Sequence, residues 1–449
     1  MQINTTLYKQ RLHIAPAQYL QGKPLLPTSK YYTLRYLLAA TLAQGESCMI
    51  GPAESDDSEA LFRGCKALGA VLVWQDQQHH VLHVQGAGSH LNVRQADATL
   101  INVGNAGAVL RLLLGIGALL PDVTFVTDHP QSLGKRPNRE LLEALHALGA
   151  YCQGAGFDGC LPITIHGGQL HGGTVQVSGA RSSQYLSALL FLAPLLPEQL
   201  EIIVTDGLKS QPLVRATLEV LHEAGISVQY DQSLRHFVIP APQHYQPRTY
   251  TIPGDYPSAA ALIAACAVMP DSTSELHLSP LRSGEEIGER LLDAFRAMNV
   301  DLRVEDETVI VRGGRQLRGI KLDGDLLIDC IPVLAAMACF AEGESIFYNV
   351  ESLHYKESDR INDLCAELQR AGCLVTPQRD AIIVQGQPEG IEGGVTVDGH
   401  SDHRLLMALT IAALCSRQGL TLSGVEHIAK SFPHFFSELQ CVGVHMLEG

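Results

Sequence analysis

The stretch CKALGAVLV at residues 65–73 carries the pattern that decides the fold of this chain: the end of an amphipathic helix, a glycine, then a strand-like run. The pattern returns as LHALGAYC at 145–152, LHEAGISVQY at 221–230, FRAMNVDLRV at 295–304, LQRAGCLVTP at 368–377 and LQCVGVHML at 439–447. A glycine just past a helix end adopts the left-handed conformation without a steric penalty, and asparagine is its usual substitute. The turn residues recur every 71–80 residues, which predicts an internal sixfold repeat.

A second helix falls once in each repeat and is apolar on nearly every side, which is typical of a buried helix. The six candidates cover residues 35–42, 108–120, 184–196, 259–269, 333–341 and 405–415. Alternating segments at 124–127, 174–177, 201–204 and 308–311 are predicted strands. Each repeat therefore reads as strand–helix–strand–helix–strand–strand. Six such units divide into two domains of three, each an α/β structure with the buried helices inside and the sheets around them.

Composition sets limits on the function. With 449 residues, of which 46% are hydrophobic, the chain can form two or more domains and is not intrinsically disordered. The formal charge of −15 disfavours contact with a phosphate backbone, so nucleic acid is not an expected partner. No apolar run is long enough for a membrane span, and residues 1–17 lack the apolar core of a signal peptide. We expect a cytoplasmic protein whose eleven cysteines, none in a Cys-x-x-Cys pair, are reduced.

Small polar residues precede each of the buried helices. They lie in the segments 29–35, 104–107, 182–184, 254–258, 329–332 and 401–404. A single example is typical of an ordinary helix N-cap. In a repeat, however, equivalent helix N-termini lie on one face of each domain, and each carries a charge of about +0.5 and unpaired N–H donors. The whole set therefore predicts a surface that binds anions.

Several cations stand where these helices begin. Lys30 and Arg35 lie at the start of the first buried helix, and Arg404 stands in front of the last one. Arg136, followed by a proline, is predicted to begin a helix, and another helix is predicted over 356–368. For the segment 356–360 the alternative interpretation is an ordinary solvated helix start, because acidic residues favour the first turn. For Arg136 it is a surface residue before a proline at the first helical position. An acidic protein can still bind a small anion where such cations are gathered in a cleft.

Nine motifs follow one another in an order that resembles the enolpyruvyl transferases, and among them the family of 5-enolpyruvylshikimate-3-phosphate synthases. They are Ser-Lys…Arg at 29–35, Gly-Asn-Ala-Gly at 104–107, Lys-Arg-Pro at 135–137, Ser-Ser-Gln-Tyr at 182–185, Pro-Gly-Asp at 253–255, Ile-Asp…Pro at 328–332, Lys-Glu-Ser-Asp-Arg at 356–360, Asp-His-Arg at 402–404 and Lys-Ser-Phe-Pro at 430–433. Each motif alone is common, but nine in order over nearly the whole chain are specific.

The resemblance implies a two-lobed inside-out α/β barrel of six βαβαββ units. Residues 28–252 are expected to form one lobe with acceptor and phosphoenolpyruvate contacts. Residues 1–27 and 253–449 are expected to form the other lobe with the acid and base residues, and the active site is expected in the cleft between the lobes. The implied reaction transfers the enolpyruvyl group of phosphoenolpyruvate to a hydroxyl of shikimate 3-phosphate and releases phosphate, without a metal or organic cofactor. The expected partners are small phosphorylated substrates, and the expected state is a monomer.

Family positions assign three overlapping sets of site residues. The phosphoenolpyruvate pocket is expected to contain Lys30, Gly107, Arg136, Gln184, Arg360, Arg404 and Lys430. The acceptor is expected to contact Arg35, Ser182, Ser183, Gln184, Ser210, Asp329 and Lys356. The expected catalytic residues are Lys30, Asp329, Glu357 and Lys430. Of these, Asp329 would take the proton of the acceptor hydroxyl, and the other three would manage proton transfer at C3 and the leaving phosphate.

The acceptor side departs from the family pattern. The five departures are Tyr31, Leu34, Ala108, Leu112 and Leu213. In addition, the Leu-Arg-Val that precedes Lys356 in the pattern reads Leu353-His354-Tyr355 here. A tyrosine in place of a serine adds a whole ring in a polar pocket. Either Tyr31 points elsewhere, or the acceptor differs from shikimate 3-phosphate.

Three alternatives therefore stay open. The nearest is an enolpyruvyl transferase with another acceptor, such as a nucleotide or a modified sugar. The glucosamine-nucleotide member fits poorly, because the cysteine of its mobile loop has no counterpart at 123–132. A second alternative is a non-catalytic paralogue that binds small anions, against which the retained Asp329 and Glu357 argue. A third is an RNA-end-processing enzyme on a related repeat fold, against which the charge of −15 argues.

Overall fold

The computed structural model describes residues 11–76, 80–88, 91 and 99–448. Contacts within the chain divide it into two compact units. Unit I comprises Thr28–Ile252, and unit II comprises Met1–Pro27 and Pro253–Gly449, of which residues 1–10 lie outside the described part. No helix within the described ranges is long and apolar enough to cross a membrane.

Twelve α-helices form in the described residues, and a buried helix alternates with an amphipathic one along the chain. In chain order they are α1 (Lys30–Leu42), α2 (Asp56–Ala67), α3 (Gly107–Gly117), α4 (Arg139–Ala147), α5 (Ser183–Leu192), α6 (Gln211–Glu223), α7 (Tyr256–Ala267), α8 (Glu286–Ala297), α9 (Ile331–Ala338), α10 (Asn362–Ala371), α11 (His403–Leu414) and α12 (Phe435–Cys441).

The strands form six four-stranded sheets in the described residues. In chain order they are β1 (Arg11–Ile14), β2 (Gln21–Gly22), β3 (Glu46–Ile50), β4 (Val71–Trp74), β5 (Val81–Gln85), β6 (Thr99–Asn102), β7 (Val123–Val126), β8 (Tyr151–Ala155), β9 (Cys160–His166), β10 (Gly173–Val177), β11 (Leu200–Val204), β12 (Gln229–Tyr230), β13 (His236–Ile239), β14 (Thr249–Thr251), β15 (Glu275–Leu278), β16 (Asp301–Glu305), β17 (Thr308–Arg312), β18 (Lys321–Asp323), β19 (Glu344–Tyr348), β20 (Leu374–Gln378), β21 (Ala381–Gln385), β22 (Thr396–Asp398), β23 (Leu420–Ser423) and β24 (Met446–Glu448).

Every sheet has the same plan, which confirms the repeat. In the second repeat, for example, β6 pairs parallel with β7, β7 antiparallel with β9, and β9 antiparallel with β8. The six turn residues also share one backbone conformation with positive φ, as predicted. They are Gly69, Gly149, Gly225, Asn299, Gly372 and Gly443. The chain thus contains six βαβαββ units, three in each compact unit.

Three of the six sheets are completed by a strand from a distant part of the chain. The leading strand of the first repeat is β14, which pairs parallel with β3 about 200 residues upstream. The leading strand of the fourth repeat is β2, paired with β15. The last strand of the sixth repeat is β1, which lies between β23 and β24. The N-terminal segment therefore belongs to unit II, although unit I follows it directly in the sequence.

The buried helices form the core of each unit. In unit II, α7, α9 and α11 contact one another, and all their residues are buried. In unit I, α3 packs against α5, and α1 packs against α6. A helix that is apolar on every side has no face to offer to water, so it occupies the centre while the amphipathic helices and the sheets cover it. The prediction of six buried helices is confirmed.

Two predicted helix starts are wrong. Arg136 does not begin a helix: its backbone is extended, because a following proline disfavours the helical conformation, and α4 begins only at Arg139. The helix predicted over 356–368 begins at Asn362. There Asp359 Oδ1 accepts a hydrogen bond from the backbone N–H of Asn362 at 3.0 Å, and Asp363 Oδ2 accepts from that of Asp359 at 3.0 Å. This reciprocal capping fixes the start of α10 after the charged segment instead of inside it.

Candidate functional site

A cluster of charged side chains forms around Arg360 in unit II. The guanidinium is buried and donates to three carboxylates. Its Nε donates to Asp402 Oδ2 at 2.7 Å and its Nη2 to Asp402 Oδ1 at 3.2 Å. Its Nη1 donates to Asp329 Oδ1 at 2.9 Å, and Nη2 also donates to Glu357 Oε2 at 2.7 Å. A planar guanidinium with this many bonds has one orientation, so Arg360 fixes the relative positions of the three carboxylates.

Two lysines extend this cluster. Lys430 Nζ lies 3.1 Å from Glu357 Oε1, and both side chains are nearly buried, at 5% and 11% exposed. Lys356 Nζ lies 3.7 Å from Asp329 Oδ1. Glu357 and Asp329 therefore each contact Arg360 and one lysine. A carboxylate between two cations, with a lysine N–H in reach, is well placed to give up or accept a proton when one of those cations turns to a ligand.

Arg404 lies at the start of α11, beside the same network. Its backbone N–H donates to Asp402 Oδ1 at 2.9 Å, which makes Asp402 both the cap of α11 and the partner of Arg360. The Arg404 side chain is buried, with Nη1 3.8 Å from the Met407 sulfur. Burial raises the pKa of the Cys330 thiol to about 12, and the charge of Arg404 opposes that shift. The Arg404 guanidinium is therefore close enough to the start of α9, where Cys330 follows Asp329, to affect its electrostatics.

Cations and carboxylates alternate in this cluster. Burial lowers the pKa of Arg360, but the charges of Asp402, Glu357 and Asp329 outweigh it and raise that pKa above the ordinary arginine value. The cations are Arg360, Arg404, Lys356 and Lys430, and the carboxylates are Asp329, Glu357 and Asp402. Four cations thus accompany these carboxylates in a largely buried place, which suits a small anion with more than one charge.

Replacing Asp402 with alanine is expected to lower the free energy of unfolding by about 3–5 kcal/mol, because two N–H groups of a buried guanidinium lose their carboxylate. Urea unfolding measures this loss. The matched control is Glu392→Ala, whose pair with Arg417 is exposed on both sides. That control is expected to cost no more than about 0.5 kcal/mol. Equally small losses in both variants would contradict the structural role of the Asp402–Arg360 pair.

In unit I, the start of α3 brings Gly107 against two buried arginines. A Cβ atom on Gly107 would lie 2.7 Å from Nη1 of Arg136 and 3.0 Å from Nη1 of Arg111. Arg111 donates through Nη1 to Gln184 Oε1 at 2.9 Å and through Nε to Asn138 Oδ1 at 3.2 Å. A larger residue at position 107 would therefore have to push these guanidiniums aside. The two guanidiniums and Gln184 form a polar cluster where α3 and α5 begin.

Arg35 lies on α1 and is held by α6. Its Nε donates to Thr217 Oγ1 at 2.8 Å, its Nη2 to the carbonyl of Leu213 at 3.1 Å, and its Nη1 to the carbonyl of Tyr31 at 3.0 Å. Burial lowers the pKa of Arg35 to about 10, which leaves the side chain cationic at neutral pH. Thr217 also bonds Ser187 of α5, with the two hydroxyl oxygens 3.0 Å apart. Arg35 is thus fixed by the packing of three helices.

The remaining predicted residues of unit I also lie at helix starts. Lys30 is the first residue of α1, and its Nζ lies 2.9 Å from Asp57 Oδ2. Ser182 caps α5 by accepting from the backbone N–H of Gln184 at 3.3 Å, and Ser183 is the first residue of that helix. Ser210 precedes α6 in the left-handed conformation, with φ 51°. The predicted association of polar site residues with helix N-termini is therefore confirmed for these positions.

The structure brings the predicted residues into two groups. The group in unit II contains Asp329, Lys356, Glu357, Arg360, Arg404 and Lys430. In unit I, Gly107, Arg136 and Gln184 meet around Arg111. Lys30, Ser182, Ser183 and Ser210 lie at the starts of α1, α5 and α6, whereas Arg35 lies in the second turn of α1.

Sequence reasoning missed four contributors to these contacts. They are Asp57, Arg111, Thr217 and Asp402, the last of which was seen only as an N-cap. A signal existed for Arg111, because a charge inside the otherwise apolar α3 needs partners when it is buried. The sequence contains no such signal for Thr217, since a threonine on an amphipathic helix is common.

Metal ligation has no candidate within the described ranges, where no three His, Cys, Asp or Glu side chains are grouped as ligands. All eleven cysteines are unbridged thiols.

Comparison with known sequences gives one family. A family model described as EPSP synthase (3-phosphoshikimate 1-carboxyvinyltransferase) matches residues 14–439. A protein of Deinococcus radiodurans named 3-phosphoshikimate 1-carboxyvinyltransferase is 44% identical over 433 residues, which cover 96% of this chain and 95% of that protein. A protein of the same name from Methanocaldococcus jannaschii is 32% identical over 428 residues, which cover 95% of this chain and 97% of that protein.

Solved structures of the same fold are also known. An EPSP synthase from Acinetobacter baumannii superposes with a TM-score of 0.80 at 25% identity and covers 98% of this chain and 100% of its own. The enolpyruvyl transferase NikO from Streptomyces tendae superposes with a TM-score of 0.77 and covers 98% of this chain and 99% of its own. At 17% identity, the second likeness shows the fold alone. The predicted α/β fold of six repeats is confirmed.

Proposed function

Because this chain belongs to the EPSP synthase family, we propose that it transfers the enolpyruvyl group of phosphoenolpyruvate to a hydroxyl of shikimate 3-phosphate and releases phosphate. Membership makes the chain an enzyme, a 1-carboxyvinyltransferase. One observation carries the assignment of roles: Arg360 and Lys430 contact the same carboxylate, Glu357. Cations that can hold a ligand with a carboxylate and a phosphate thus lie beside Glu357, a group that can transfer a proton.

Phosphoenolpyruvate carries a carboxylate and a phosphate, so it needs several fixed cations at close quarters. We assign this role to Lys30, Gly107, Arg136, Gln184, Arg360, Arg404 and Lys430. In unit II, substrate oxygens would take over contacts that Asp329 and Glu357 make with Arg360 and Lys430. In unit I, the first N–H groups of α3 and α5 would add donors for a phosphate oxygen. Gly107 serves by leaving room for the two guanidiniums beside it.

The reaction adds the acceptor oxygen to C2 while C3 gains a proton, and then C3 loses a proton as the C2–phosphate bond breaks. It therefore needs an acid and a base that exchange roles. We assign removal of the acceptor proton to Asp329, and proton transfer at C3 and to the leaving phosphate to Glu357, Lys30 and Lys430. The 3.1 Å contact between Lys430 and Glu357 supports this pairing, since each can serve as the other's proton partner.

The acceptor is assigned to residues whose chemistry suits a phosphorylated alcohol. Ser182, Ser183 and Lys356 are proposed to hold its phosphate, and Arg35, Ser210, Gln184 and Asp329 its ring hydroxyls. Two of the departures from the family pattern, Leu34 and Leu112, are buried in the core of unit I, where they pack against apolar side chains. Tyr31 offers its backbone carbonyl to Arg35 and so helps to orient a residue assigned to the acceptor.

An enzyme with a different acceptor, a nucleotide or a modified sugar, is the second candidate because Tyr31, Ala108 and Leu213 still depart from the pattern. A panel of acceptors decides between the two. Phosphate release from phosphoenolpyruvate is expected with shikimate 3-phosphate. Release only with another acceptor would establish the second candidate, and release with none would favour a non-catalytic anion-binding protein. We also expect the enzyme to act as a monomer in the cytoplasm.

Replacing Gly107 with alanine is expected to raise the KM for phosphoenolpyruvate by roughly 10–100-fold, because the new Cβ would lie 2.7 Å from Nη1 of Arg136 and 3.0 Å from Nη1 of Arg111 and would push both groups out of place. Helix α3 should remain intact, since alanine favours a helix. Steady-state kinetics at saturating acceptor measure the change. Gly207→Ala is the matched control, because a Cβ there meets nothing within 4 Å. An unchanged KM in Gly107→Ala would contradict the assignment of this pocket.

A further inference from the structure

The segment that carries Lys356 and Glu357 is a closed loop. Its outer contact is a backbone hydrogen bond from the N–H of Arg360 to the carbonyl of Leu353, at 3.1 Å. One residue further in, His354 Nδ1 lies 2.7 Å from Asp359 Oδ1. These two contacts close residues 353–360, named here the 353–360 loop. The loop includes the last three residues of the short 3-10 helix Glu351–Tyr355 and ends just before α10.

Both ring nitrogens of His354 face hydrogen-bond acceptors. Nδ1 faces the carboxylate of Asp359, and Nε2 lies 3.0 Å from the backbone carbonyl of Arg379, in the turn between β20 and β21. A carbonyl and an ionised carboxylate only accept, whereas a neutral imidazole has a single N–H. Only the doubly protonated imidazolium can donate to both. Asp359 cannot easily turn away, because Asn362 donates to both of its oxygens, at 3.0 and 2.8 Å.

We propose that His354 is a positioning residue whose protonated form clamps the 353–360 loop, so that catalysis through Lys356 and Glu357 depends on the charge of this one ring. The inference rests on the proposed function of those two residues. In the family pattern this position holds an arginine, which carries a permanent charge, whereas the histidine found here can lose its charge. When the ring is neutral, one acceptor is left without a proton, and the inner contact of the loop is weakened.

Charged and titratable groups surround His354 on three elements. They are Glu351 and Tyr355 on its own 3-10 helix, Lys356, Asp359 and Asp363 on the following segment, and Arg379 and Asp380 on the β20–β21 turn. The Arg379 side chain is paired with Glu351 at 3.0 Å, and Asp380 accepts from the backbone N–H of Glu351. The ion contact that changes when the ring loses its proton is therefore the one to Asp359.

The sign of the pH dependence follows from this geometry. The clamp needs both ring N–H groups, so it is present while the ring carries two protons and is lost as the pH rises and the ring gives one of them up. We expect kcat/KM for the acceptor, taken as a ratio to that of His354→Arg, to fall about fivefold between about pH 6 and about pH 8.5. The loss should lie mainly in kcat and in the acceptor KM. The KM for phosphoenolpyruvate should change less, because Arg360 is held by Asp402.

Two variants of His354 separate a charge effect from a structural one. His354→Arg keeps a cation at every pH and should give a profile without the fivefold component. His354→Gln has no cation at this position at any pH. Its kcat/KM at about pH 6, taken as a ratio to that of His354→Arg, should equal the wild-type ratio at about pH 8.5. His236→Gln is the matched control, because its ring lies 2.6 Å from Glu201 in a sheet of unit I. It should leave the profile unchanged. Coincident profiles for wild type and His354→Arg would overturn the inference.

Hydrogen exchange keeps this test independent of activity. With intrinsic rates corrected for pH, the peptide that contains the Arg360 N–H should open more often in the wild type at about pH 8.5 than at about pH 6. In His354→Arg, opening should be the same at both. Equal opening of the wild type at both pH values would refute the clamp. If none of the tested acceptors supports phosphate release, the proposed function is wrong. The exchange result would still decide the role of His354.

Discussion

Replacing Lys430 with alanine is expected to lower kcat/KM for phosphoenolpyruvate by about 10³-fold. The ammonium group is nearly buried and lies 3.1 Å from Glu357, so its loss removes a cation from the proposed pocket and the partner of the carboxylate to which we assign proton transfer. Arg136→Ala should cause a loss of the same order, because the variant loses a buried guanidinium that lies beside Gly107 at the start of α3. Phosphate release under steady-state conditions measures both.

Matched controls show whether position or charge alone matters. Lys23 is exposed in unit II, and Arg296 is exposed on α8 in an ion pair with Asp293. Lys23→Ala and Arg296→Ala each remove one positive charge from the surface and should leave kcat/KM within about twofold, since surface charges contribute little. Thermal unfolding should show that all four variants are folded. If Lys430→Ala or Arg136→Ala releases phosphate at the wild-type rate, the assignment of the phosphoenolpyruvate pocket is wrong.

Replacing Asp329 with alanine is expected to lower kcat by about 10²–10⁴-fold, with only a modest rise in the KM of either substrate. Asp329 is held by Arg360 at 2.9 Å and lies 3.7 Å from Lys356, so its carboxylate is oriented and partly exposed to a ligand. Arg360 keeps its bonds to Asp402 and Glu357 in the variant, and the pocket should therefore persist. Single-turnover kinetics separate the chemical step from binding.

Asp329→Asn tests whether the residue acts as a base. The amide is nearly the same size as the carboxylate and can still accept a hydrogen bond from Arg360, but it cannot take a proton. Its kcat should fall as far as that of the alanine variant. Near-normal kcat in Asp329→Asn, or an effect of Asp329→Ala confined to KM, would assign a structural or binding role to this residue instead.

The repeat could be predicted from the sequence because it is encoded locally. A helix end with glycine or asparagine at a fixed place needs only a few neighbouring residues, and all six turn residues have the positive φ that this chemistry implies. The buried helices could be predicted for the same reason, since an apolar run has no alternative to the core. Both features depend on single segments, which is why one sequence suffices to find them.

The completion of three sheets could not be predicted from residue patterns. β14 joins β3, β2 joins β15, and β1 inserts between β23 and β24, all across long sequence separations. Strand pairing is a property of the packed chain, and short strands such as Gln21–Gly22 carry almost no signal of their own. The assignment of residues 1–27 to the second domain therefore came from the family resemblance.

The site was predicted at the level of residues but not of contacts. The motifs identified every cation of the unit II cluster, yet the triple pairing of Arg360 depends on a loop that is not helical, where a helix over 356–368 was expected. The net charge of −15 disfavours a polyanion as a partner, but it says nothing about the local grouping of cations around Arg360. Local electrostatics follow from which side chains meet, and that is decided by tertiary structure.

The most direct test of the central claim is a phosphorus NMR measurement of the purified protein with equimolar phosphoenolpyruvate and shikimate 3-phosphate. The claim predicts that both substrate signals decline together, while inorganic phosphate and one new phosphate monoester, the enolpyruvyl product, appear in equal amounts. Substrate signals that persist unchanged, or phosphate release that does not depend on shikimate 3-phosphate, would contradict it.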